Sequence, residues 1–487
     1  MNQIVYASDY AALDSNVYTG GGTDDTAALQ ALLDSAPERG HLHIIMNGAA
    51  LIRGLKIHSN TTIECLNRDC GFFLADGSNC AVVQNAERDY FERKTHNVSL
   101  IGGTYNHNAA GQLHHVAVDD PLYEFGGPYN KNLDIPGHAL VIGMEFYGIE
   151  HLLLRDVVIR NHRSWGFLAC NFKHVTIEGC WFDLPDKMFA QNQDGYHFWG
   201  PGQFLTIRDV GGCVGDDFMN LGPDEHDCKS DITDVLIDGV TLDEADQAIR
   251  MLTRGTGKLD RVTIRNFTGT YHGIGFYINN WFPPEFNYKG GELPPPSYGN
   301  FGNIFMENID LRPKKPTYNP DTPFLFQIGG NIESLTVKNI RHHLPEYRYN
   351  LFRVGYPFYD MAYTWDEAHK PRIGTLLIDG MHVEEYDDAT AENDFILVKQ
   401  PVEHLIIRDV DIIRGGDVQP RGRLLATLPQ GEIGTLILDR VLAKRLSELV
   451  RVDEGKIDLY SARNILLLQC PNGQLVDEQG RVGEIVE

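Results

Sequence analysis

The chain contains no apolar run approaching the ~20 residues that a membrane helix needs. Residues 1–9 have neither the basic region nor the apolar stretch of a secretory leader. A cytoplasmic protein is therefore expected, or a secreted one if a leader has been removed. Cysteine is sparse, at 8 in 487 residues, and Cys170, Cys180 and Cys213 sit inside apolar, strand-like runs. They read as packed reduced thiols rather than a disulfide framework. No CxxC pair supports a zinc site, so neither a metal nor a cofactor is expected. Positive charge is also in the minority, 42 Lys and Arg against 67 Asp and Glu, a formal net charge of −25. That balance argues against nucleic acid or an anionic membrane as partner, and a polyanionic substrate would need a local basic patch.

What the chain does have is a repeat. An apolar alternation, then Asp, Asn or Gly, then another apolar alternation recurs at 98–103, 152–157, 175–180, 205–210 and 235–240. It continues at 262–267, 335–340, 376–381, 405–410 and 436–441. Val175 follows Leu152 by 23 residues, Leu205 and Val235 follow at steps of 30, and Val262 at 27. Period-two, β-branched units punctuated by turn residues exclude helical repeats and predict short parallel strands stacked coil on coil. The expected fold is all-β, a right-handed parallel β-helix forming a single domain over 1–487, because a solenoid buries its core one coil at a time. Longer gaps predict loop insertions at about 119–138, 282–300 and 344–371, rich in aromatic rings that either stack on sugars or merely cover the solenoid.

Near the start, Gly20-Gly21-Gly22-Thr23-Asp24-Asp25-Thr26 precedes a stretch in which Leu29, Leu32 and Leu33 fall at i, i+3 and i+4. This predicts a short amphipathic helix within 20–40 that caps the open end of the first coil.

The chemistry concentrates in two short runs, Asn192-Gln193-Asp194-Gly195 and Gly215-Asp216-Asp217, whose aspartates Asp194 and Asp216 are 22 residues apart, about one coil. Stacked coils would bring Asp194, Asp216 and Asp217 together. Clustered carboxylates are the minimum equipment for glycosidic hydrolysis, in which one acid protonates the leaving oxygen and another carboxylate activates water. Mutual repulsion would leave one of the three holding a proton near neutral pH. His162, Arg163, His197 and Trp199 flank the cluster and are candidates to bind hydroxyl groups or stack on a ring, with Asn192 beside them.

In order and spacing these runs are similar to the polygalacturonase-like glycoside hydrolases of family 28, over about 160–225; the glycine-rich opening also resembles that of pectin-degrading β-helix proteins. The resemblance implies that Asp216 is the general acid and that Asp194 and Asp217 position and deprotonate water. It implies an inverting mechanism, for which carboxyl groups about 6.5 to 9.5 Å apart are expected. Two parts of the family pattern are missing. Where the family has Gly-His-Gly, this chain has Gln247 within 245–251; where it has Arg-x-Lys, this chain has Gly275 and Tyr277. Without that Arg and Lys nothing evident neutralises a uronate, although Arg250 on the neighbouring coil could substitute. The substrate is thus expected to be a poly- or oligosaccharide other than plain polygalacturonate, with Gln247, Arg250 and Tyr277 as further substrate-binding candidates. Two other readings stay open: a polysaccharide lyase on the same scaffold, and a non-catalytic carbohydrate-binding β-helix of tailspike or adhesin type.

Overall fold

The computed structural model describes residues 2–117, 138–185, 187, 192–225, 230–253, 255, 257–280, 299–314, 324–344, 350–355, 370–385, 394–414, 419–473 and 475–476. Nearly all of the regular structure is strand, paired in parallel from coil to coil, and the fold is a parallel β-helix with a short N-terminal helix, as the repeat predicts. Contacts sort the chain into two compact units, one built on Met1–Ala245 and one from Asp246 onward, where the repeat was read as one domain. Each is described by itself.

Each of the ten repeat copies lies in a strand or runs just past its end, at 101, 155 and 178, and the punctuating residue has a physical reason. Gly102, Asp156, Gly179, Asp209, Gly239, Asn266, Asn339, Gly380, Asp409 and Arg440 all have φ between 50° and 80°. The corner needs one left-handed residue per coil, and Gly, Asn and Asp reach that conformation at least cost. The alternation on either side then points every second residue inward. In the first unit Leu100, Leu154, Ile177, Ile207 and Ile237 pair in one column and are fully buried. Each such side chain contributes on the order of 2 kcal/mol of apolar burial. Helix Thr26–Asp34 buries Leu29, Leu32 and Leu33, the expected stripe. Asp25 does not cap the helix with its side chain but accepts the backbone N–H groups of Ala12 and Leu13 at 2.8 and 2.9 Å.

In the second unit the matching column runs Ile264, Met306, Val337, Ile378, Ile407 and Leu438. Its corner carries an amide ladder: Asn308 Nδ2 donates to Asn266 Oδ1 at 2.9 Å and Asn339 Nδ2 to Asn308 Oδ1 at 3.0 Å. A further sheet consists of five-residue strands, Phe324–Ile328, Asn350–Val354, Asp394–Val398, Arg423–Thr427 and Glu448–Val452. Within it Phe276, Phe326 and Phe352 stack at 5.0 and 4.5 Å between ring centres. Strand Asn350–Val354 falls inside 344–371, which therefore holds a core strand rather than being wholly an insertion. The aromatic-rich parts of the three expected insertions lie outside the described residues. Among the described residues no helix is long and apolar enough to cross a membrane.

Candidate active site

The first unit brings Asp194, Asp216 and Asp217 together, and backbone hydrogen bonds do it. The Gln193 carbonyl accepts the N–H groups of Gly215 and Asp216 at 3.0 and 3.3 Å, while Gly195 N–H donates to the Asp217 carbonyl at 2.8 Å. Asn192, held at φ 70°, turns its N–H onto Asp216 Oδ2 at 2.9 Å. One coil back, Gly166 N–H donates to the Asp194 carbonyl at 2.8 Å. Gly166 and Gly195 are required by contact: a Cβ on Gly195 would lie 2.5 Å from the Phe218 carbonyl oxygen, and one on Gly166 2.5 Å from the Phe182 ring. Gln193 is fixed in turn, its side-chain N–H donating to the His162 carbonyl at 3.1 Å while His162 Nε2 lies 3.3 Å from the Gln193 carbonyl. Burial pushes the His162 imidazole down to about 4, so it is neutral at physiological pH.

One oxygen from each of the three aspartates lies within 4.8 Å of the other two. This is closer than the 6.5 to 9.5 Å expected above for an inverting pair, so the gap as it stands does not itself support inversion. The three differ in exposure: Asp194 is 2% and Asp217 0% exposed, whereas Asp216 is only partly buried. Asp194 Oδ1 has no hydrogen-bond partner among the described residues. Glu150, His151 and His174 form another group with metal-ligand spacing, and neither group is assigned a metal on spacing alone.

Behind the aspartates lies a buried charge chain. His197 Nδ1 is 3.1 Å from Asp194 Oδ2, and its Nε2 is 2.9 Å from Glu225 Oε2. Glu225 Oε2 also accepts Trp199 Nε1–H at 3.1 Å. The Trp165 ring covers the imidazole at 3.6 Å between ring centres, 14° from parallel. Burial works against a charge on His197, but the charge of Glu225, hydrogen bonds to Asp194 and Glu225 and the charge of Asp194 outweigh it and lift the imidazole to about 9. Because this value is raised above the ordinary 6.5, the stabilisation is fully present below about pH 6.5 and is lost as pH rises through about 9. Melting temperature should therefore fall between pH 7 and pH 10, and calorimetry should show a smaller fall for His197→Asn.

The other candidates are placed as follows. Trp199 is 4% exposed, packed with Tyr147, Trp165, Leu168 and Cys170, and so does not offer a face to a sugar. His197, at 1% exposed, serves Asp194 rather than a ligand hydroxyl. Arg163 donates from Nε to the Gln112 carbonyl at 3.3 Å. Gln247, Arg250 and Tyr277 belong to the second unit. There Gln247 pairs with Ile274 and Arg250 with Tyr277, so Gln247 and Tyr277 are not equivalent positions of successive coils. Tyr277 is 3% exposed and clusters with Leu252 and Ile274, while Arg250 and Gln247 are half-buried. Sequence reading missed Glu225 altogether; it stands on an irregular turn just past strand Asp217–Gly222, where no periodicity marks it.

No protein-family model matches the chain, and no curated protein matches it. Solved structures do. A hyperthermoactive exopolygalacturonase from Thermotoga maritima is similar at 12% identity and a TM-score of 0.50, over 96% of this chain and 92% of that one. A mutant tailspike protein of E. coli bacteriophage HK620, in complex with hexasaccharide, is similar at 11% identity and a TM-score of 0.56, over 97% of this chain and 78% of that one. At such identities the likeness establishes the fold, the parallel β-helix of polygalacturonases and tailspikes.

Proposed function

We propose that this protein is a glycoside hydrolase that cleaves a poly- or oligosaccharide through Asp194, Asp216 and Asp217, with inversion, and that plain polygalacturonate is not its substrate. The observation that carries the hydrolase reading, though not its stereochemistry, is the convergence of three carboxylates from consecutive coils within 4.8 Å, with only Asp216 of the three partly open to solvent. Asp216 is the member a substrate meets, so it gives the proton to the leaving oxygen. Asp194 and Asp217, fixed beneath it, orient and deprotonate the attacking water. To hold a sugar between them, Asp216 would turn outward from the Asn192 N–H that now meets its Oδ2 at 2.9 Å.

The exclusion of plain polygalacturonate rests on Gly275 and Tyr277 standing where the resembled family has Arg and Lys. Among the described residues, the His197 cation beside Asp194 is already shared with Glu225.

A panel of neutral, amino-sugar and uronate oligosaccharides, tetragalacturonate among them, tests the proposal. New reducing ends without ultraviolet-absorbing product are expected, and proton NMR should show the inverted anomer first. An unsaturated product would make the protein a lyase. Binding without cleavage anywhere in the panel would make it a carbohydrate-binding β-helix. Retention would mean that the close carboxylates act as acid and nucleophile.

A further inference from the structure

We infer that Glu225 is a positioning residue of this site, acting on the proposed base Asp194 through His197. The inference rests on the hydrolase reading for its catalytic meaning and on geometry for its existence. An imidazole donates from a nitrogen only where that nitrogen carries a proton, and His197 has a carboxylate oxygen at both, 3.1 Å from Nδ1 and 2.9 Å from Nε2. With both nitrogens so engaged, the ring is a cation held between two anions. The groups facing it are Asp194 and Glu225 at its two nitrogens, Trp165 across its face and Trp199 at its edge, with Asn220 at the paired position of the next coil.

Three features make Glu225 more than a neutralising charge. Its Oε2 takes two donors, His197 Nε2–H and Trp199 Nε1–H, which fixes where that oxygen sits. Trp165 lies flat on the imidazole, so the ring cannot tilt, and a cation against an indole face is favourable. A ring held at its far nitrogen and over its face points its Nδ1–H in one direction, at Asp194 Oδ2. That leaves Asp194 Oδ1, which no described residue engages, as the oxygen available to a water. Glu225 thus selects the rotamer of a carboxylate it does not touch, much as outer groups orient metal-bound histidines.

The test is a double-mutant cycle in the full-length protein, with Glu225→Gln and His197→Asn, measured on the panel member that wild type cleaves fastest. Glu225→Gln keeps an acceptor for Trp199 but removes the charge. It should lower kcat about 30-fold with KM within about threefold, and in the His197→Asn background it should cost less than about twofold more. Wild-type kcat in Glu225→Gln, or losses that multiply, would overturn the inference. Should wild type cleave nothing in the panel, the hydrolase reading fails, and the nitrogen-15 spectrum of histidine-labelled protein decides the tether separately. At pH 7 both His197 ring nitrogens must be protonated in wild type; a neutral ring refutes the tether, and this measurement needs no variant that folds.

Discussion

Asp216→Asn should lower turnover by about 10³-fold while changing unfolding free energy by less than about 0.5 kcal/mol. The asparagine has nearly the same shape, and its side-chain oxygen can still accept the Asn192 N–H that now lies 2.9 Å from Oδ2. What it cannot do is release a proton to a departing sugar oxygen. Asp216 is also the partly exposed member of the trio, so solvent screens its charge. The comparison with Asp194→Asn makes the test sharp. That substitution removes one of the two anions flanking a buried imidazolium, so it should cost both turnover and stability. Kinetics on the cleaved oligosaccharide together with chemical denaturation would check both. Undiminished turnover in Asp216→Asn would remove it from the chemistry.

Gly195→Ala should destabilise the first unit by about 3 kcal/mol and abolish activity in the protein that remains folded. The new methyl would stand 2.5 Å from a backbone oxygen of Phe218 and 2.9 Å from the Phe182 ring. A backbone carbonyl cannot rotate away as a side chain can. The coil must separate there, and the hydrogen bond from Gly195 N–H to the Asp217 carbonyl would lengthen with it. That bond is part of what sets Asp194 beside Asp217, so stability and chemistry should fail together. Thermal unfolding and turnover of the same preparation would show it; an alanine variant with wild-type melting would mean the pinch is slack.

The coils were legible because one conformational requirement leaves a mark in every copy. A left-handed corner favours Gly, Asn or Asp, which stand at nine of the ten copies with Arg440 at the other, and the flanking residues alternate because a strand buries one face. One copy with its marks intact, Ile304 to Ile309 around Asn308 at φ 58°, is absent from the ten read above, and another is absent where the marks weaken. Tyr460 and Ala462 continue columns of Leu and Val, but strand Lys456–Leu468 is largely exposed, so its residues were free to depart from the apolar pattern. The five-residue strands of the second unit carry no corner residue within them, and one of them, Asn350–Val354, falls inside the expected insertion 344–371. The aspartates were legible because two motifs one coil apart must stack. Glu225 was not, because its partner His197 is 28 residues away and the link between them follows no period. The roles given to Trp199 and Tyr277 misjudged depth: an aromatic residue beside a motif looks the same in sequence whether it faces solvent or a second apolar cluster.

The corner sets a constant count within each copy, four residues from Leu152 to Asp156, Val175 to Gly179, Leu205 to Asp209 and Val235 to Gly239. All variation in coil length therefore falls elsewhere. Six residues, 161–166, join strand Val158–Arg160 to Phe167, whereas twelve, 184–195, join Trp181–Asp183 to Tyr196 and end on the acidic motif. The span 223–231, which carries Glu225, joins strand Asp217–Gly222 to Ile232–Glu244. Scaffold and connecting spans are thus encoded in separable stretches of the chain: either span could lengthen without disturbing a rung of the lattice. On the hydrolase proposed above, a lineage could alter such a span by insertion alone and keep its three aspartates in register.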